Sequence, residues 1–90
     1  MSENSVTIDF VERYTRTKNT FPNLYNSTHE AIGVILEEYR ELEKEVFTKE
    51  QDINRIYAEA IDLASATFAL AIFIDRKKKK MKEEKSDKII

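Results

Sequence analysis

The sequence predicts an all-α protein: an antiparallel hairpin of two long helices with a short N-terminal helix, oligomerising into a four-helix-type bundle. Three observations lead there. One glycine and one proline in 90 residues leave little material for turns. Apolar residues recur at three- and four-residue spacing through most of the chain. The second long helix is apolar nearly all round, which a lone two-helix hairpin cannot cover.

The N-terminal helix is expected over residues 6–17, "VTIDFVERYTRT", where Val6, Phe10, Val11 and Tyr14 share one side. "KNTFPNLYN" breaks it, because proline restricts the residue before it and asparagine favours turns. Ser27 and Glu30 form an S-x-x-E capping box. The helix that follows, over 28–47, carries Ala31, Val34, Ile35 and Leu42 as its apolar stripe. "TKEQD" (48–52) is the only polar break before the second long helix, and Thr48 or Asp52 caps its start. That helix is expected over 52–76. It opens amphipathic with Ile53, Ile56, Tyr57 and Ala60, then becomes apolar from Ala60 to Ile74 apart from Asp62, Ser65 and Thr67. "RKKKKMKEEKSDKII" reads as a solvated helix end whose lysines complement the helix dipole. The chain thus divides into an N-terminal arm (1–26), a hairpin core (27–76) and a charged tail (77–90) of one domain.

Composition narrows the function classes. Without cysteine there is no disulfide framework, thiolate metal site or cysteine nucleophile. A net charge of −2 gives no global pull toward nucleic acid, and the lysine run has no interleaved aromatics and meets acids at once. "MSENSVTIDF" has none of the regions of a secretory signal, and the Ala60–Ile74 run falls short of the roughly 20 residues of a membrane span. A cytoplasmic protein that binds neither membrane nor nucleic acid is the expectation.

The most informative residue is Asp62, set in the apolar run. An unpaired buried carboxylate costs several kcal/mol, so it stays neutral or finds a cation. Folding the long helices back near position 50 brings level any residues whose numbers sum to about 100. Glu38 then meets Asp62, and Glu41 meets Glu59. Members of each same-helix pair lie one turn apart, so "EYRE" (38–41) and "EAID" (59–62) bring four carboxylates to one spot. The same register pairs Ala31 with Ala69, Val34 with Ala66, Ile35 with Ser65, Leu42 with Ala58 and Glu45 with Arg55. Four like charges in an apolar seam repel strongly. Shared protons relieve some of this, and a divalent cation would relieve all of it. All-oxygen ligands suit a hard ion, Mg²⁺ first and Mn²⁺ as substitute, and Mg²⁺ commonly shares its shell with phosphate oxygens. Buried hydrogen-bonded carboxylates and an oligomer contact remain the other readings of the four acids.

These residues resemble the MazG-like family of all-α nucleoside triphosphate pyrophosphohydrolases, whose signature is EExxE, a spacer and ExxD. "EEYRE" (37–41) matches the first part and "EAID" (59–62) the second, with 17 residues between Glu41 and Glu59. The likeness spans residues 27–76 and is greatest to short, single-hairpin, often phage-encoded members that start with an "STHEA"-like segment. It implies Glu38, Glu41, Glu59 and Asp62 as Mg²⁺ ligands and an NTP or dNTP substrate cleaved to a monophosphate and pyrophosphate. It also implies Glu38 and Glu41 as catalytic residues, and a self-assembled homodimer or homotetramer. Glu37, about 100° round the helix from Glu38, is a candidate for positioning water and reads equally as a solvated helix glutamate.

One departure stands out. Many active relatives follow the ExxD helix with a Lys, Asn and Arg pattern that grips phosphates, and the tail here has lysines but no asparagine and no matching spacing. Lys44, Lys49 and Arg76 are the candidate phosphate contacts, each also readable as a surface charge. The alternative function is accordingly a catalytically weak or inactive MazG-like module that binds nucleotide or a protein partner. His29 is expected to serve the helix start, and Phe21, Leu24 and Tyr25 to pack the N-terminal arm.

Overall fold

A computed structural model describes residues 2–89, with 84–89 as backbone only. It is all-α among the described residues, with three helices: α1 (Glu3–Thr20), α2 (Thr28–Val46) and α3 (Ile53–Ile89).

Helix α1 is longer than the periodicity suggests at both ends. Ser2 caps it, its side chain accepting from Ser5 N–H at 3.2 Å, and Glu3 complements the positive helix start. It stops where the chain meets proline: the Phe21 N–H still donates to the Thr17 carbonyl at 2.8 Å, and Pro22 has no N–H with which to continue. Leu24 then takes a positive φ of 65°, the left-handed region that costs a branched residue about 1 kcal/mol. Packing of its side chain against the buried cluster holds it there.

Helix α2 starts at the expected cap, with the Glu30 N–H donating to Ser27 Oγ at 3.1 Å. The reciprocal contact of the capping box differs from expectation. The Glu30 carboxylate accepts from Asn26, through its backbone N–H at 3.3 Å and its Nδ2 at 3.1 Å, because the turn offers this stronger two-point partner. Of the two cap candidates for α3, Asp52 fills the role: its Oδ1 accepts from Asn54 N–H (3.0 Å) and Arg55 N–H (3.3 Å). Thr48 instead donates to the Lys44 carbonyl at 2.7 Å, closing the end of α2. Helix α3 continues well past the expected end at position 76. Lysine, methionine and glutamate are good helix formers and no glycine or proline interrupts them, so a change of charge does not end the helix.

Helices α1 and α2 both pack on α3 and not on each other. Ala31 and Ala69 share the buried cluster, and Arg55 Nη1 lies 3.7 Å from Glu45 Oε1, the two contacts expected at opposite ends of the α2–α3 register. On the other side of α3, Phe10 and Tyr14 of α1 grip Phe68 edge-to-face, with centroids 5.1 and 4.7 Å away. Tyr57 donates to Asp9 Oδ2 at 2.6 Å, and this bond raises the tyrosine pKa.

The core is small. Among the described residues Tyr25, Ala31 and Ala69 are its buried apolar residues, Ser65 is buried beside them, and no large side chain is fully enclosed. Apolar side chains remain exposed along α2 at Ile32, Leu36 and Tyr39, which share one face at i, i+4 and i+7. Ala60, Ala64, Thr67, Ala71 and Ile74 of α3 are exposed at similar spacing. Contrary to the expectation from the Ala60–Ile74 run alone, one helix, within Ile53–Glu83, is long and apolar enough by length and composition to cross a membrane. Here that helix carries α1 and α2 on its flanks.

Candidate functional site

The carboxylates come together where α2 and α3 face each other. The short helix-to-helix connection and the Ala31–Ala69 contact set the register, and the one-turn spacing of each motif does the rest. Glu38 and Glu41 from α2 and Glu59 from α3 each offer an oxygen, and these oxygens lie within 4.8 Å of one another. Glu38 and Glu59 are half-buried, while Glu41 reaches the surface. One oxygen of each half-buried residue, Glu38 Oε2 and Glu59 Oε2, is shut off from solvent without a hydrogen-bond donor. A carboxylate oxygen in that position requires a proton or a cation.

The electrostatics agree. Burial raises the Glu38 pKa, and Glu41, Asp62 and Glu37 raise it further, with Arg13 pulling the other way. Burial also raises the Glu59 pKa, followed by the close approach of Glu41 and by the charges of Asp62 and Glu38.

Asp62 lines the same cavity as Glu38 and is near enough to raise its pKa, but it does not join the trio. Arg13 of α1 takes it: Nε donates to Oδ1 at 2.5 Å, with both side chains partly buried. The aspartate in the apolar run thus has a cation, and that cation is a protein side chain. Sequence reasoning missed Arg13, although a signal existed. It stands at i+3 from Phe10 and i−1 from Tyr14, on the side of α1 that turns toward α3.

The other candidates lie apart. Glu37 is exposed on α2, near enough to Glu38 to raise its pKa. Lys44 and Lys49 are exposed near the α2–α3 connection. Arg76 Nη1 donates to the Pro22 carbonyl at 3.1 Å, tying α3 to the α1–α2 connection. His29 is exposed in the first turn of α2. Phe21, Leu24 and Tyr25, read as packing residues, form a wall of an open cavity of about 290 Å³. Arg13, Glu38 and Asp62 line the same space. Tyr25 donates to the Ala66 carbonyl at 2.9 Å, and burial, then Glu38 and Glu30, raises its phenol pKa.

Comparison with protein-family models, curated proteins and solved structures found no match.

The trio could hold a cation: its three residues offer carboxylate oxygens within 4.8 Å of one another, and an all-oxygen donor set suits a hard divalent ion.

Proposed function

We propose that the chain is a magnesium-dependent nucleoside triphosphate pyrophosphohydrolase of the MazG-like kind, converting an NTP or dNTP to a monophosphate and pyrophosphate. One observation carries this reading: EExxE and ExxD motifs on consecutive helices deliver Glu38, Glu41 and Glu59 to one spot, two of them with buried, unpartnered oxygens. These three residues hold the cation, Mg²⁺ by preference and Mn²⁺ as substitute. A cation held there would supply charge neutralisation for the phosphate chain and would lower the pKa of an attacking water.

The protein's own groups do the rest. The packed α2–α3 seam fixes Glu38 and Glu59 so that little reorganisation is needed on binding. Exposed Glu37, next to Glu38 in sequence, would be the residue to orient water there. The adjoining cavity, with Phe21, Leu24 and Tyr25 on one side, receives the less polar part of the substrate. The α2–α3 pair forms an antiparallel hairpin that completes a four-helix-type bundle as a homodimer or homotetramer. The small core and the exposed faces bearing Ile32, Leu36 and Tyr39 on α2 and Ala64 and Ala71 on α3 support that assembly. A cytoplasmic setting suits the nucleotide substrate.

A second reading is favoured by the Arg13–Asp62 pair, which leaves three carboxylates where the family signature has four. In it the chain binds nucleotide with little or no turnover. A phosphate-release assay with coupled pyrophosphatase, across the common NTPs and dNTPs in Mg²⁺ and in EDTA, separates the two. Metal-dependent turnover supports the hydrolase. Tight Mg²⁺-dependent binding without turnover supports the binding module, and neither binding nor turnover defeats both.

A further inference from the structure

The cavity beside the carboxylates has one cationic side chain in its wall, and it comes from α1. Arg13, Glu38, Asp62, Thr17, Tyr25 and Ser65 are among the residues that line it. None of the cations singled out from the sequence does so: Lys44 and Lys49 are not part of the lining, and Arg76 is committed to the Pro22 carbonyl. We propose that Arg13 is the phosphate-binding residue of this cavity, taking the phosphate chain of a nucleoside polyphosphate and supplying from α1 the positive charge that the lysine-rich part of α3 does not bring to the site. The inference rests on the pyrophosphohydrolase reading and deepens it.

Three features support the assignment. The first is unused donor capacity. A guanidinium has five N–H groups, and Arg13 uses only Nε, toward Asp62. Its two terminal nitrogens make no hydrogen bond to the protein among the described residues, leaving the planar fork that matches two phosphate oxygens at once. The second is rigidity. Phe10 and Tyr14, either side of Arg13 in sequence, both lock onto Phe68, so the backbone that carries the guanidinium is fixed against α3. The third is charge balance. Arg13 pairs with Asp62 and is near enough to Glu38 to lower its pKa, so a divalent cation that neutralised the glutamates would leave this end of the cavity attractive to an anion. A polyphosphate, with several anionic groups in a row, would meet that need.

The test uses the full chain and a probe without a base. Inorganic triphosphate is titrated into Mn²⁺-loaded wild-type protein, Arg13→Gln and Arg13→Lys by calorimetry. Mn²⁺ affinity is measured separately without phosphate, and circular dichroism checks the fold. The expected result is a loss of about tenfold or more in triphosphate affinity for Arg13→Gln, as for loss of a charged hydrogen bond. Arg13→Lys, which retains a charge partner for Asp62, recovers part of that affinity, and Mn²⁺ binding is not weakened in either variant. A purely structural arginine would not give this split. If both variants bind triphosphate within about twofold of wild type while Mn²⁺ still binds, the assignment of Arg13 is overturned and the hydrolase reading stands. If wild-type protein binds neither Mn²⁺ nor triphosphate, the hydrolase reading itself fails, and this inference with it. Should Arg13→Gln not fold, Arg13→Lys decides: unchanged triphosphate affinity overturns the proposal, and a clear loss with intact Mn²⁺ binding supports it.

Discussion

Replacing Glu38 with glutamine should stabilise the metal-free protein, the opposite of what most substitutions at a half-buried position do. Two carboxylate charges at 4.8 Å, the widest spacing among these oxygens, repel by about 3.5 kcal/mol at an effective dielectric of 20, and by under about 1 kcal/mol in bulk water. Glu41 is exposed and Glu59 only half-buried, so solvent screening pulls the net effect toward the lower figure. We therefore expect Glu38→Gln to gain about 1–2 kcal/mol near neutral pH in EDTA, a rise in Tm of about 4–8 °C per kcal/mol for a domain of this size.

The pH dependence has a definite sign. The folded-state pKa of Glu38 is raised by burial and by its acidic neighbours, so the folded state holds more protons than the unfolded one above the ordinary carboxylate range. This contribution to stability therefore falls as pH rises through that window and returns as pH drops back through it. The advantage of Glu38→Gln should shrink accordingly as the pH is lowered into the carboxylate range. In Mn²⁺ it should reverse, because only the wild type gains from the ion. Urea and thermal melts at neutral and acidic pH, in EDTA and in Mn²⁺, measure all three. A Glu38→Gln protein less stable than wild type in EDTA at neutral pH would refute the repulsion on which the site rests.

Two further outcomes probe the scaffold. Phe68→Ala should cost about 2–4 kcal/mol by urea denaturation, from two edge-to-face pairs and the loss of partial burial, and a cost under about 1 kcal/mol would show that α1 is not docked through Phe10 and Tyr14. Gly33→Ala should raise stability by about 0.5–1 kcal/mol, since an added Cβ there meets nothing within 4 Å and helix-interior glycine is unfavourable. A lower Tm for Gly33→Ala would instead mean that another copy of the chain covers this side of α2.

Much of this arrangement is legible in the sequence, because local rules decide it. Ser27 and Asp52 cap the helices they precede, as short polar side chains before apolar periodic runs should. A short connection fixes which residues of α2 and α3 lie level, so Glu38, Glu41 and Glu59 can be placed together from numbering alone. The Glu45–Arg55 contact appears at the expected height. What escaped was decided at long range or by subtler preferences. The partner of Asp62 is 49 residues away on α1, and no spacing rule within α2 and α3 indicates that an arginine will reach it. The extent of α1 depends on Ser2 and on residues without an apolar stripe, so hydrophobic periodicity undercounts it. The length of α3 follows from helix propensity continuing through a lysine run, where a change in charge pattern looked like an end.

Binding of Mn²⁺ followed by electron paramagnetic resonance, in wild-type protein and in Glu59→Gln, tests the shared carboxylate site most directly. The account predicts one saturable Mn²⁺ site per chain in the wild type, weakened at least about tenfold when Glu59 loses its charge, with helical content unchanged. No saturable binding to the wild type, or an equal affinity in Glu59→Gln, would contradict it.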